Sequence, residues 1–145
     1  MRTVNNLLQS VLKVNMSREI ELALVDSADD FVSAQKEQLA SGERSDDTQI
    51  FNIKTGSEYY SPSYAKYKSK DSPIDLRDQG NFYNGIEATP ESEGLNLWST
   101  DSKTEKLVED YGKEIFGLNA QSKKTVIPVA GKRLLRNVTL QINER

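Results

Sequence analysis

The sequence predicts an α+β fold: N-terminal helices, a small antiparallel sheet with a central β-hairpin, and a C-terminal helix. Three observations carry this expectation. Apolar residues recur at three- and four-residue spacing over residues 4–39 and again after residue 119, as amphipathic helices require. Residues 82–99 instead alternate around a Pro/Gly turn, as a hairpin does. The chain of 145 residues fits one domain, or one domain with an arm, and can bury roughly two-thirds of its unfolded surface.

Val4, Leu7, Leu8, Val11 and Leu12 form the first stripe, with Thr3 placed as N-cap. A break at Asn15 is favoured over one long helix. The second helix starts near Ser17, with Glu19 and Glu21 early in it. Its stripe is Ile20, Leu24, Ala28, Phe31 and Val32; it fades through polar residues toward Leu39 and stops at Gly42. Residues 42–49 are a polar loop, and Ile50-Phe-Asn-Ile-Lys54 reads as a short strand. Ser57 to Pro62 is either an edge strand or a linker. Ser61 caps a short helix running to about Ser69, with Pro62 at its first position. Asp71-Ser-Pro73 closes it.

In the hairpin, Phe82, Asn84, Ile86 and Ala88 fall on one face of the first strand, and Leu95, Leu97 and Ser99 on one face of the second. Trp98 points the other way, and Thr89 to Gly94 form the turn. Ser102-Lys-Thr-Glu105 reads as a capping box for a helix that turns Leu107, Val108 and Tyr111 inward and ends at Gly112. Asn119 caps the last helix, with the stripe Ile127, Leu134, Leu135, Val138 and Ile142. Pro128 either kinks that helix or restarts it. The expected organisation is a helical arm, residues 1–44, and an α+β domain, residues 45–145.

Composition narrows the function. There is no cysteine and no histidine, which removes disulfides, thiol nucleophiles, imidazole acid–base chemistry and most zinc sites. No phosphate-binding Gly-x-x-x-x-Gly-Lys-Ser/Thr loop occurs. Asp29-Asp30, Asp46-Asp47 and Asp75/Asp78 lack calcium-loop spacing and read as solvated charge. The expectation is therefore a non-enzyme with no cofactor and no metal. The N-terminus lacks the continuous apolar core of a signal peptide, and no run approaches a membrane span, so Asn15-Met-Ser17 and Asn137-Val-Thr139 carry no weight as glycosylation signals. A soluble protein made in the cytoplasm is expected.

The hydrophobic share is 36%, below the usual ~45–50%. An extended shape, a core completed by neighbouring copies, or a thin, loop-rich monomer accounts for it. The net charge of -3 is unevenly spread. Residues 120–145 hold six basic residues against one acid, a net of +5, which leaves -8 on the rest. Such a basic end fits nucleic-acid contact, head-to-tail packing of identical subunits, or a solvated helix face. The candidate interface residues are Tyr59, Tyr60, Tyr64, Tyr67, Trp98, Lys132, Arg133 and Arg136. The four tyrosines, interleaved with Lys66, Lys68 and Lys70, suit protein interfaces or packing, or a platform for single-stranded nucleic acid. Trp98 suits either an intersubunit anchor or sheet-face packing.

The runs Ser61-Pro-Ser-Tyr-Ala-Lys-Tyr-Lys, Leu76-Arg-Asp-Gln-Gly-Asn-Phe-Tyr-Asn-Gly-Ile86, Tyr111-Gly112 and Ile115-Phe-Gly-Leu-Asn119 follow one another in an order that resembles the small neck and tail-completion (virion-morphogenesis) proteins of tailed bacteriophages. The likeness spans about Gly56 to Val138. Gln79 stands where threonine is usual, Asn84-Gly85 where serine is usual, and the histidine often found before the aromatic-glycine pair is missing. The resemblance implies a structural virion protein of the head–tail joint, forming a homo-oligomeric ring. Its neighbours would be portal or adaptor and tail proteins, and DNA would pass without tight binding. A nucleic-acid-binding accessory protein using Tyr64, Tyr67, Lys132, Arg133 and Arg136, and a small cytoplasmic adaptor, are the alternatives.

Overall fold

A computed structural model describes residues 3–67, 73–91 and 94–144. The elements are α1 (Val4–Leu12), α2 (Met16–Asp26), α3 (Ala28–Ala40), α4 (Pro62–Tyr67), α5 (Asn81–Asn84), β1 (Ile86–Glu91), β2 (Gly94–Ser99), α6 (Thr104–Tyr111) and α7 (Ala120–Glu144), with a 3₁₀ turn at Lys113–Ile115. The fold is α+β, with a two-stranded antiparallel sheet and a C-terminal helix.

Local capping sets most boundaries. Thr3 accepts from the Asn6 N–H at 3.2 Å, and Asn15 accepts from that of Arg18 at 3.2 Å, so the chain breaks at Asn15. Ser27 then interrupts the expected continuous second helix. Its hydroxyl bonds the Ala23 carbonyl at 2.7 Å, and α3 restarts immediately after it. α3 ends in a Schellman motif: Gly42 N–H donates to Leu39 O at 2.9 Å and Glu43 N–H to Gln38 O at 3.0 Å, with Gly42 at φ 76°.

Three expectations change and one open choice closes. Ile50–Lys54 is not a strand, because its N–H groups go to three separate places: Ile50 to Gly42 O, Asn52 to Ser57 O and Ile53 to Asp110 O. Of the two readings of Ser57 to Pro62 the linker holds: residues 57–61 are irregular, with a single bridge between Tyr59 and Pro73 and a bond from Ile74 N–H to Glu58 O at 3.2 Å. Phe82 and Asn84 lie in α5 rather than on a strand; Gly80, at φ 90°, supplies the left-handed turn that starts this short helix. Ser102 caps nothing: α6 begins at Thr104, whose hydroxyl donates to Ser99 O at 3.0 Å.

β1 pairs with β2 in the register Ile86↔Ser99 to Glu91↔Gly94, so Thr89, Pro90 and Glu91 belong to the strand rather than the turn. As expected, Leu97 and Ser99 point inward and Trp98 outward. α6 ends at Gly112, and Asn119 caps α7 by accepting from Ser122 N–H at 2.9 Å. α7 runs unbroken through Pro128.

The core has two adjoining parts. Leu39, Ile50, Ile74, Leu76, Phe82, Tyr83, Ile86 and Ile115 form one, flanked by Leu107, Val108 and Tyr111 of α6. Ala34, Leu97, Leu118 and Val126 form the other, where α3, the hairpin and α7 meet; Phe116 touches both. α2 and α3 lie along α7 and along β1. Lys68, Lys70, the helix end at Ser69, the closing Asp71-Ser72, Ser92 and Glu93 of the turn, and Arg145 of the basic end lie outside the described residues.

Candidate functional site

The buried polar groups locate what is structural. Gln35 and Gln38, one helical turn apart on α3, are almost fully buried and hold the chain after the 3₁₀ turn. Gln35 donates to Ile115 O at 3.0 Å and accepts from Gly117 N–H at 2.8 Å. Gln38 donates to Gly117 O at 2.9 Å and accepts from Asn119 N–H at 2.8 Å. Each side-chain amide thus satisfies one backbone donor and one acceptor. Asn119 also donates to Glu43 at 2.8 Å, and Ala120 N–H to Asp47 at 3.1 Å, so the helix start is tied to the loop after α3. None of this was visible in the sequence beyond Asn119, because a glutamine on a fading stripe looks solvated.

The tyrosine segment divides by role. The Tyr60 hydroxyl donates to Asp75 Oδ1 at 2.9 Å and accepts from the N–H groups of Asp75 and Leu76 at 3.2 and 3.0 Å. Tyr83 donates to Asp75 O at 2.6 Å. Burial, together with the Asp75 carboxylate, pushes both phenols well above their ordinary range. Tyr64 is half-buried, its ring 4.9 Å from that of Tyr60. Tyr59 is exposed, and Tyr67 closes α4, its side chain lying outside the described residues.

Beside these rings lies a cavity of about 590 Å³. Tyr59, Tyr60, Tyr64, Leu76, Phe82 and Tyr111 give it an apolar wall, with Asp78, Asp101 and Lys103 among its polar residues. Lys103 pairs with Asp78 at 3.9 Å, and Asp101 Oδ2 is buried without a hydrogen-bond partner among the described residues. Such a wall offers apolar contact with a few charged groups at its edge. Among the described residues, no group of three or more acidic side chains is placed to hold a metal ion, and no helix is long and apolar enough to cross a membrane.

The remaining candidates separate similarly. Trp98 stays 42% exposed while its ring lies 4.9 Å from that of Phe116. Arg133 donates to Ser27 Oγ at 2.9 Å and pairs with Asp30, tying α7 to the α2–α3 junction. Lys132 and Arg136 beside it are exposed. Tyr60 and Arg133 therefore serve the chain's own fold, while Tyr59, Trp98, Lys132 and Arg136 present surface.

α1 and α7 also present apolar residues outward. α1 buries only Ser10 and faces its stripe outward: Val4, Leu7, Leu8, Val11 and Leu12 are all exposed. Met16 and Ile20 of α2 continue the apolar surface. α7 is offset in the same sense. Its inward residues are Val126, Ala130, Arg133 and Gln141, the last bonded to the buried Glu19 of α2. The expected stripe lies on the flank: Leu134, Val138 and Ile142 are half-buried, and Ile127 and Leu135 are exposed. Exposed apolar patches, where large, are common at interaction sites. No protein-family model, no curated protein and no solved structure matches the chain.

Proposed function

We propose that this chain is a non-enzymatic structural subunit of a tailed-phage particle. It would work in the connector, neck or tail-completion region as a homo-oligomeric ring through which DNA passes. The observation that carries the assembly part is the uncovered arm: α1 buries only Ser10 and leaves its whole apolar stripe, Val4, Leu7, Leu8, Val11 and Leu12, exposed. The order of the motifs from Gly56 to Asn119, and their likeness to the tail-completion family, supports placing the assembly at the head–tail joint. Partners are other copies, portal or adaptor proteins and tail proteins. The acidic remainder suits a channel that lets DNA slide without gripping it.

Electron microscopy of the purified chain, alone and mixed with portal, adaptor and tail-tube proteins, tests this reading. Closed rings, or a defined complex at a head–tail joint, are expected. A protein that stays monomeric and joins none of them refutes it. Salt-dependent DNA binding at physiological ionic strength would point instead to a nucleic-acid-binding accessory protein.

A further inference from the structure

The cavity beside the tyrosine rings combines an aromatic wall with one uncompensated carboxylate. At about 590 Å³ it falls in the size range of sites that enclose small organic molecules. Separate stretches of chain line it: the loop 52–61, α4, the segment entering α5, and α6 with the residues before it. Tyr59, Tyr60, Tyr64, Phe82 and Tyr111 bring five aromatic residues to one space. The Tyr60 and Tyr64 rings are 4.9 Å apart and tilted by 56°, so they do not close into a flat stack. Burial raises the phenols of Tyr60 and Tyr111, which keeps these two rings neutral.

The charged residues lining the cavity, among those described, are Asp78, Asp101 and Lys103. Lys103 lies 3.9 Å from Asp78, so these two offset each other. Asp101 pairs with no cation among the described residues, and its Oδ2 is buried without a hydrogen-bond donor. The fold uses this residue through its backbone alone: the Asp101 carbonyl accepts from Thr104 N–H at 3.1 Å, and the Asp101 N–H donates to Ser99 Oγ at 3.3 Å. A carboxylate oxygen screened from water and left unpaired is costly, so what it lacks is a donor from outside the chain. The surroundings do not reverse the sign: over residues 52–82 and 101–111 as a whole, seven basic residues stand against eight acidic ones.

We propose that this cavity binds a small organic cation, whose apolar body packs on the tyrosine wall and whose ammonium group donates to the Asp101 carboxylate. Such a group gains from the faces of aromatic rings as well as from the carboxylate. The site does not depend on ring assembly, and a monomer would hold it equally well.

Isothermal titration calorimetry at neutral pH tests it with three probes built on one ring: tyramine, para-ethylphenol and phloretate, which carry an ammonium, no charge and a carboxylate. Tyramine should bind about tenfold or more tighter than para-ethylphenol, with phloretate weakest. Asp101→Asn keeps the size of the side chain and the backbone bonds of the turn. It should retain the circular dichroism of the parent and bring tyramine down to the level of para-ethylphenol. Lys103→Met changes a mostly exposed side chain and removes the one cation of the lining, so it should strengthen tyramine binding several-fold. Equal binding of tyramine and para-ethylphenol, a preference for phloretate, or full tyramine binding by Asp101→Asn would overturn the proposal. So would heat from none of the probes, or binding of an arginine-bearing dipeptide with none of tyramine, which would make the cavity a peptide pocket.

Discussion

Replacing Gln35 with leucine keeps the volume of the side chain and removes both hydrogen bonds to the segment after the 3₁₀ turn. The Ile115 carbonyl and the Gly117 N–H, which Gln35 meets at 3.0 and 2.8 Å, then lose that partner. The position has no exposed surface, so the substituted side chain brings no water to replace those bonds. A buried donor or acceptor left unpaired costs about 1–3 kcal/mol. Two such groups cost about 2–6 kcal/mol, offset by about 1–2 kcal/mol from burying an aliphatic side chain in place of an amide. A net loss of about 3 kcal/mol is a large share of the 5–15 kcal/mol that holds a typical domain. Urea unfolding followed by circular dichroism measures it. With a slope of ~1–3 kcal/mol per molar urea, the midpoint should fall by about 1–3 M, and the melting temperature by roughly 6–12 °C. Gln35→Glu, which keeps the acceptor for Gly117 but loses the donor, should also be destabilising. A Gln35→Leu protein within about 0.5 kcal/mol of the parent would refute the assignment of this amide as the clamp.

Other perturbations probe other parts. Gly85→Ala places a methyl 2.7 Å from Ser99 Oγ and 3.0 Å from Asp101 N, so it should cost about 1–3 kcal/mol by the same unfolding assay. Arg133→Met removes the tie to Ser27 and Asp30; the partly exposed pair should cost about 1 kcal/mol, and raised salt should narrow the difference from the parent. Tyr60, Tyr83 and Tyr111 have folded-state pKa values above the ordinary 10.0, mainly through burial, so their contribution is complete below pH 10 and is lost as the pH rises beyond it. An absorbance titration at alkaline pH should show these three phenols ionising together with unfolding, and ionisation of all six tyrosines near pH 10 with the fold intact would contradict it.

The readable parts of the fold were those governed by neighbours in sequence. Thr3, Asn15 and Asn119 bond N–H groups three residues on, and the stops at Gly42 and Gly112 are equally local. The failures share a different cause. Ile50–Lys54 has strand-like residues but no partner strand, and its N–H groups are taken by a loop, a turn and α6. At Ser102 the box pattern is complete, yet the Ser99 carbonyl draws in Thr104 and moves the helix start. Ser27 breaks a helix that its own sequence would continue, in company with Arg133 more than one hundred residues away. For the outward apolar surface, periodicity revealed stripes on α1 and α7 but not which neighbour lies against them. Three- and four-residue spacing gives a helix a greasy side; it does not say that the helix will be turned away from its own body.

The distance between the two halves of the glutamine clamp has a consequence for synthesis. Gln35 and Gln38 meet partners about eighty positions downstream, and a ribosome adding roughly 5–20 residues per second needs about 4–16 s to make that length. Until then α3 has neither its polar anchors nor the α7 surface it leans on. The nascent N-terminal third waits, with its greasy side uncovered, in the company of other chains doing the same. Anchoring of α3 is thus a late event of synthesis, and the exposed α1 stripe is the part a chaperone would meet first.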